Sequence, residues 1–169
     1  MGIPNNNAEV ADHFAVVAKR FCSIVDSASD TDRREFVAQI YRILPKLIDQ
    51  AIDMPAVERS DGQQKSPRNV RQQEWEWLYN SLKEKLGDWN LYRQVFDPTQ
   101  DTEANLGSLA DDVADIYLDL KKGLALNETS RSQPEDTIWE WRLLFDSHWG
   151  NHAIDALLAI HFRLQNEVS

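Results

Sequence analysis

Residues 108–124 read SLADDVADIYLDLKKGL, and the spacing of their apolar positions decides the architecture. Leu109, Val113, Ile116, Tyr117, Leu120 and Leu124 recur at intervals of three and four, so at about 100° per residue they share one arc of an α-helix. Ser108 with Asp111 makes a capping box of the S-x-x-D type, and the helix is expected to run from Leu109 to about Leu126. Asp111 is explained by that cap and by the positive end of the helix dipole. Asp112, Asp115 and Asp119 stack on the flank of the apolar arc, within about 60° of one another. Carboxylates arranged in this way repel, so cations should answer them, and Lys122 is placed to answer one.

The second informative stretch is WEWRLLFDSHWGNHAIDAL, residues 139–157, inside a helical pattern from Glu135 to about Arg163. Ile138, Phe145, Trp149, Ala156 and Ile160 form its narrow apolar arc. Arg142 falls inside that arc, and His148 and His152 sit one turn apart on its edge. A guanidinium facing a core must reach water or find carboxylates. The last two helices are therefore expected to pack together, with Arg142 meeting Asp112, Asp115 or Asp119 and the histidines lining the same polar seam. Trp77, Trp141 and Trp149 read as core, in preference to an aromatic ligand wall. Gly150 costs a helix about 1 kcal/mol relative to alanine, so it is expected to permit close approach of a backbone or an aromatic ring.

Working outward, Val10, Phe14, Val17, Phe21 and Val25 mark a helix over 8–27, and the run Ser27 to Asp32 supplies the turn and N-cap of the next. That second helix carries Pro45, which predicts a kink or break near Tyr41 to Leu44. Residues 53–67 read as a loop, Ser66 with Pro67 as the start of a third helix, and Gly87 as its stop. In DWNLYRQVF, residues 88–96, Trp89, Tyr92, Val95 and Phe96 again step by three or four; loops over 97–107 and 127–134 bracket the helix at 109. The expectation is an all-α, single compact bundle of about six helices without a sheet. One domain should span 1–169, with its ordered core at about 8–164.

A net charge of −10 repels a phosphate backbone, which excludes nucleic acid and anionic membranes as expected partners. The N-terminus has no secretory pattern, no stretch is apolar enough for a bilayer, and the single Cys22 lies among apolar neighbours. A cytoplasmic protein is expected.

Three chemical readings compete. DDVAD, residues 111–115, matches a magnesium–diphosphate pattern superficially, but no second such motif accompanies it. The i, i+4 histidines suit metal binding, yet the zinc-protease pattern needs glutamate after the first histidine, where this chain has Trp149. A histidine pair with a carboxylate from the facing helix could hold zinc, manganese or iron inside a bundle. Imidazoles satisfied by carboxylate or backbone oxygens are the preferred reading, so no metal and no cofactor is expected. The function expected is a non-catalytic binding or interaction module for a protein or small-molecule partner. Its rivals are a metal-dependent hydrolase of phosphate esters or phosphoanhydrides using Asp112, Asp115, Asp119, His148 and His152, and an acidic adaptor that docks a basic partner.

Residues 108–124 and 138–161, together with LGDWNLYRQVFDP at 86–98, resemble a bacterial family described as domain of unknown function 5063. The likeness rests on Ser108, Asp111, Asp112, Asp115, Tyr117, Asp119 and Lys121, then on Glu140, Trp141, Arg142, His148, Trp149, Gly150 and His152. It implies an all-helical cytoplasmic protein, points to the same two helices, and implies no particular reaction.

Overall fold

The computed structural model describes residues 6–59, 71–129 and 133–166. Six α-helices are found among them: α1 (Asn6–Asp26), α2 (Arg33–Ile52), α3 (Arg71–Leu86), α4 (Leu109–Thr129), α5 (Pro134–Leu144) and α6 (Gly150–Asn166). The fold is all-α in character, with one short hairpin, β1 (Leu91–Gln94) and β2 (Asn105–Ser108).

Local chemistry accounts for most boundaries. The Asp32 side chain caps α2 by accepting from the Glu35 N–H at 2.9 Å. Gly87, at φ +54°, ends α3 in a conformation that L side chains rarely adopt. The Asp111 N–H donates to Ser108 Oγ at 3.3 Å, which makes the cap read from the sequence. The proposed Ser66–Pro67 start of α3 lies outside the described residues.

Of the kink or break expected near Tyr41 to Leu44, no break occurs, because α2 runs through Pro45 to Ile52. Pro45 is exposed, so solvent can satisfy the carbonyl that lost its donor, while Ile43, Leu44 and Leu47 hold the helix against the core. One local expectation is corrected: residues 91–94 form a strand and pair antiparallel with 105–108, in the register Leu91 to Ser108 and Tyr92 to Gly107. The cause is tertiary. The buried Asn90 side chain accepts from the Ala110 N–H at 2.8 Å and from the Ser108 hydroxyl at 3.1 Å, and its carbonyl accepts from Leu109 N–H at 2.8 Å. Pinned to the start of α4, the chain must run beside 105–108, and pairing satisfies its backbone there.

Helix α4 occupies the centre and packs against α1, α3, α5 and α6. Leu109, Ala110, Val113, Ala114, Ile116, Leu120 and Leu124 are buried around more than one face, as a central helix requires. Gly123 lets the Trp141 indole of α5 lie directly on α4: a Cβ there would meet Trp141 Nε1 at 1.9 Å. Trp141 in turn meets Phe14 of α1 edge-on, with ring centroids 4.8 Å apart.

The pattern from 135 to 163 is not one regular helix. Phe145–Trp149 form a π turn between α5 and α6. Such a turn inserts one extra residue, which shifts the helix face after it by about 100° relative to the face before it. Gly150 accommodates the turn, since a Cβ there would lie 2.4 Å from the Phe145 carbonyl oxygen and 3.0 Å from its ring.

Candidate functional site

Because α4 is buried nearly all round, its acidic flank cannot remain solvated. The side chains of Asp112 and Asp119 are each 4 % exposed and that of Asp115 21 %. Their partners come from the π turn and α6. His148 Nδ1 lies 2.6 Å from Asp119 Oδ2, and His152 Nδ1 lies 2.8 Å from Asp112 Oδ1. An ionised carboxylate only accepts, so each Nδ1 carries a proton and donates it. Both rings then turn their Nε2 atoms toward one oxygen: Asp115 Oδ2 is 3.4 Å from His152 Nε2 and 3.8 Å from His148 Nε2. The two imidazoles meet edge-on at 5.1 Å, and His148, at 45 % side-chain exposure, borders solvent.

Tyr92, from β1, closes the other side. Its hydroxyl donates to Asp112 Oδ2 at 2.7 Å, so both oxygens of that carboxylate are engaged. Asp115 also receives a hydrogen bond from the Trp75 side chain of α3. Burial raises the carboxyl pKa of Asp111, Asp112, Asp115 and Asp155 above the usual range, against the opposing pull of the histidines. His148 is raised by its hydrogen bond to Asp119. Burial pulls His152 the other way, but the hydrogen bond and charge of Asp112, with Asp115 and Asp111, outweigh it and leave it raised too. Among the described residues, the largest charged influences on these four carboxyls are the two histidines and other aspartates.

The structure therefore brings together Asp112, Asp115, Asp119, His148 and His152. It does not bring Arg142 to them. That guanidinium donates to the Met54 carbonyl and lies 3.6 Å from Asp146, because the π turn rotates α5 away from the face that α6 presents to α4. Lys122 answers no aspartate of the stripe; it pairs with Glu140, which is buried at the α4–α5 contact. Trp141 and Trp149 are fully buried core, whereas Trp77 is 72 % exposed and leaves the core to Leu78 and Leu82. Tyr92 belongs to the site and carried no sequence signal, since a hairpin alone places it there. Asp111 was assigned wholly to the cap, yet one ligand atom each from Asp111, Asp112 and His152 lies within 4.8 Å of the others. The same separation holds for Asp115, His148 and His152.

A family model described as "Domain of unknown function (DUF5063)" matches residues 5–166. No curated protein matches the chain. Among solved structures, the crystal structure of protein BF1032 from Bacteroides fragilis is similar at a TM-score of 0.73 and 24 % identity, over 88 % of this chain and 87 % of that one. That likeness concerns the fold.

Proposed function

The chain belongs to the DUF5063 family, and from that premise we propose that it is a metal-binding module that takes one divalent transition-metal ion through His148 Nε2, His152 Nε2 and Asp115 Oδ2. The observation that carries this reading is the paired orientation of the imidazoles. Each Nδ1–H is held by its own buried carboxylate, which leaves both Nε2 atoms facing a third carboxylate, where a metal ion would displace the proton that Nε2 otherwise shares with it. Carboxylates that hold a ligand histidine by its second nitrogen fix its tautomer and raise its basicity, as metal sites require. Dimensions agree: with metal–ligand bonds of about 2.0–2.1 Å, tetrahedral ligand atoms stand roughly 3.3 Å apart. The separations of 3.4 and 3.8 Å from Asp115 need a small contraction, and the two imidazoles, whose ligand atoms lie within 4.8 Å of each other, must close up with them.

Imidazole and carboxylate donors suit zinc, manganese, iron or nickel better than magnesium or calcium. The set formed by Asp111, Asp112 and His152 is the weaker cage, because both oxygens of Asp112 are already committed. Phosphate-ester hydrolysis is disfavoured: among the described residues the site is bordered by Asp111, Asp112 and Asp155, whose charges repel an anionic substrate. The acidic wall favours holding a cation. Within this reading the protein works in the cytoplasm, where a lone buried thiol, pushed up to about 12 by burial, suits a reducing compartment. Among the described residues no helix is long and apolar enough to cross a membrane.

The test is a thermal scan of chelated protein with and without zinc or manganese at 100 times the dissociation constant found by calorimetry. Mass action then stabilises the fold by ~2.7 kcal/mol, a rise of about 5–10 °C in Tm for a chain of this size. His148→Ala and His152→Ala should each abolish the rise. Unchanged Tm in the wild-type protein, with no heat of binding, would leave the seam a structural ion-pair network.

A further inference from the structure

We infer that Tyr92 is a positioning residue for the metal site: through Asp112 it fixes which nitrogen of His152 faces the metal, which makes the β-hairpin part of the binding device. The inference rests on the metal-binding reading above and adds a residue from outside the two helices that supply the ligands.

Asp112 has two oxygens and two donors that hold them, the Tyr92 hydroxyl and the His152 ring, while the nearby Asp111 carboxylate only repels its charge. The Tyr92 hydroxyl holds Oδ2 at 2.7 Å, and that fixes the carboxylate plane and turns Oδ1 to His152 Nδ1 at 2.8 Å. A carboxylate without that anchor can rotate about its Cβ–Cγ bond and share its oxygens differently. The ring would then lose the acceptor that keeps the proton on Nδ1 and the lone pair on Nε2.

The hydroxyl has one proton and two polar neighbours. The side-chain amide of Gln94 lies 2.9 Å from it. That neighbour is the Gln94 Oε1 atom, a competing acceptor, and since a buried carboxylate is the stronger one the hydroxyl's single proton goes to Asp112.

The hairpin is shaped to hold this tyrosine. Tyr92 pairs across the ladder with Gly107, and a Cβ at 107 would stand 2.6 Å from the Tyr92 ring. The ring thus occupies space that only glycine at 107 leaves open. The adjoining Asn90 bonds tie the same strand to the first turn of α4, so Tyr92 and Asp112 are held in one rigid corner.

The experiment compares wild type with Tyr92→Phe, which keeps the ring over Gly107 and removes only the hydroxyl. Zinc affinity is measured by competition with a chromophoric chelator, and the His152 tautomer and ligating nitrogen are read by nitrogen-15 NMR of the metal-free and the zinc-loaded protein. Expected is a loss of affinity of about tenfold, the lower end of what removal of an outer-shell partner costs, together with His152 resonances that report mixed Nδ1 and Nε2 protonation in the metal-free protein. Asp112→Asn serves as the benchmark and should lose at least as much. Wild-type zinc binding with an unchanged affinity and an unchanged His152 tautomer in Tyr92→Phe would overturn the positioning role alone. Failure of the wild type to bind zinc would overturn the metal reading and this inference with it. A variant that merely loosened the fold would lower the metal-free Tm and leave the tautomer as in wild type, which also counts against the inference.

Discussion

At Arg142 the guanidinium donates to the Met54 carbonyl and approaches Asp146, four residues along the same chain, while the aspartates of α4 bind histidines. Its side chain is 36 % exposed and the Asp146 side chain 58 %, so the ion pair is screened and contributes little. Most of what Arg142 adds is one hydrogen bond to a backbone carbonyl. Arg142→Ala is therefore expected to lower stability by only about 0.5–1.5 kcal/mol in urea denaturation. A double-mutant cycle of Arg142→Ala with Asp119→Asn should show no coupling beyond ~0.5 kcal/mol, and a larger value would put the arginine back in the seam. The i, i+3 and i, i+4 spacings that set Asp112, Asp115 and Asp119 on one helix face and His148 and His152 on another are legible in the sequence, and the structure packs those two faces together. Sequence reasoning failed at Arg142 because it carried one helical phase across residues 145–149, where the backbone changes its pitch.

The π turn is the element that distinguishes α5 and α6 from one long helix. In α5, Ile138 and Trp141 are buried; in α6, Ala153, Ala156 and Ile160 are. At about 100° per residue an uninterrupted helix would already hold Ile138, Ala156 and Ile160 on one arc, so the extra residue turns the face buried by α6 relative to that of α5: α5 packs on α1 and α4, and α6 on α2 and α4. Gly150 is where this change of phase meets steric limits. In an ordinary helix, alanine at this position would add about 1 kcal/mol through propensity. Here the added Cβ would press on the Phe145 carbonyl oxygen at 2.4 Å, and that atom is backbone, which cannot swing away. Strain should win, so Gly150→Ala is expected to destabilise by about 1–3 kcal/mol in chemical denaturation. A stabilised variant would mean that the turn is not constrained by this contact. The hairpin offers the opposite lesson: the 88–96 stretch has apolar spacing that suits a helix, and tertiary bonds to Asn90 made part of it a strand.

Across the whole molecule, a central helix with an acidic flank makes stability depend on protons. His148 and His152 are raised in the fold, so the folded protein holds protons that the unfolded chain releases near the ordinary histidine value of about 6.5. The contribution is complete below that value and disappears as pH rises through the raised one. The raised carboxyls of Asp111, Asp112, Asp115 and Asp155 act in the same sense at lower pH. Chelated protein should therefore melt higher at pH 6 than at pH 8, and a double His148→Asn, His152→Asn variant should flatten that difference. Tm rising between pH 6 and pH 8 in chelated wild type would contradict the sign. Zinc should reverse the trend, since metal binding displaces protons and strengthens as pH rises. By itself the sequence determined the helical class, the cap at Ser108 and the two faces that carry the site, because each depends on periodicity or on neighbours within one turn. Only the tertiary structure decided that α4 lies at the centre, which buries Asp112 and Asp119, that a hairpin delivers Tyr92 to them, and that a π turn removes Arg142. Those outcomes depend on packing between segments distant in the chain, and local spacing carries no record of it.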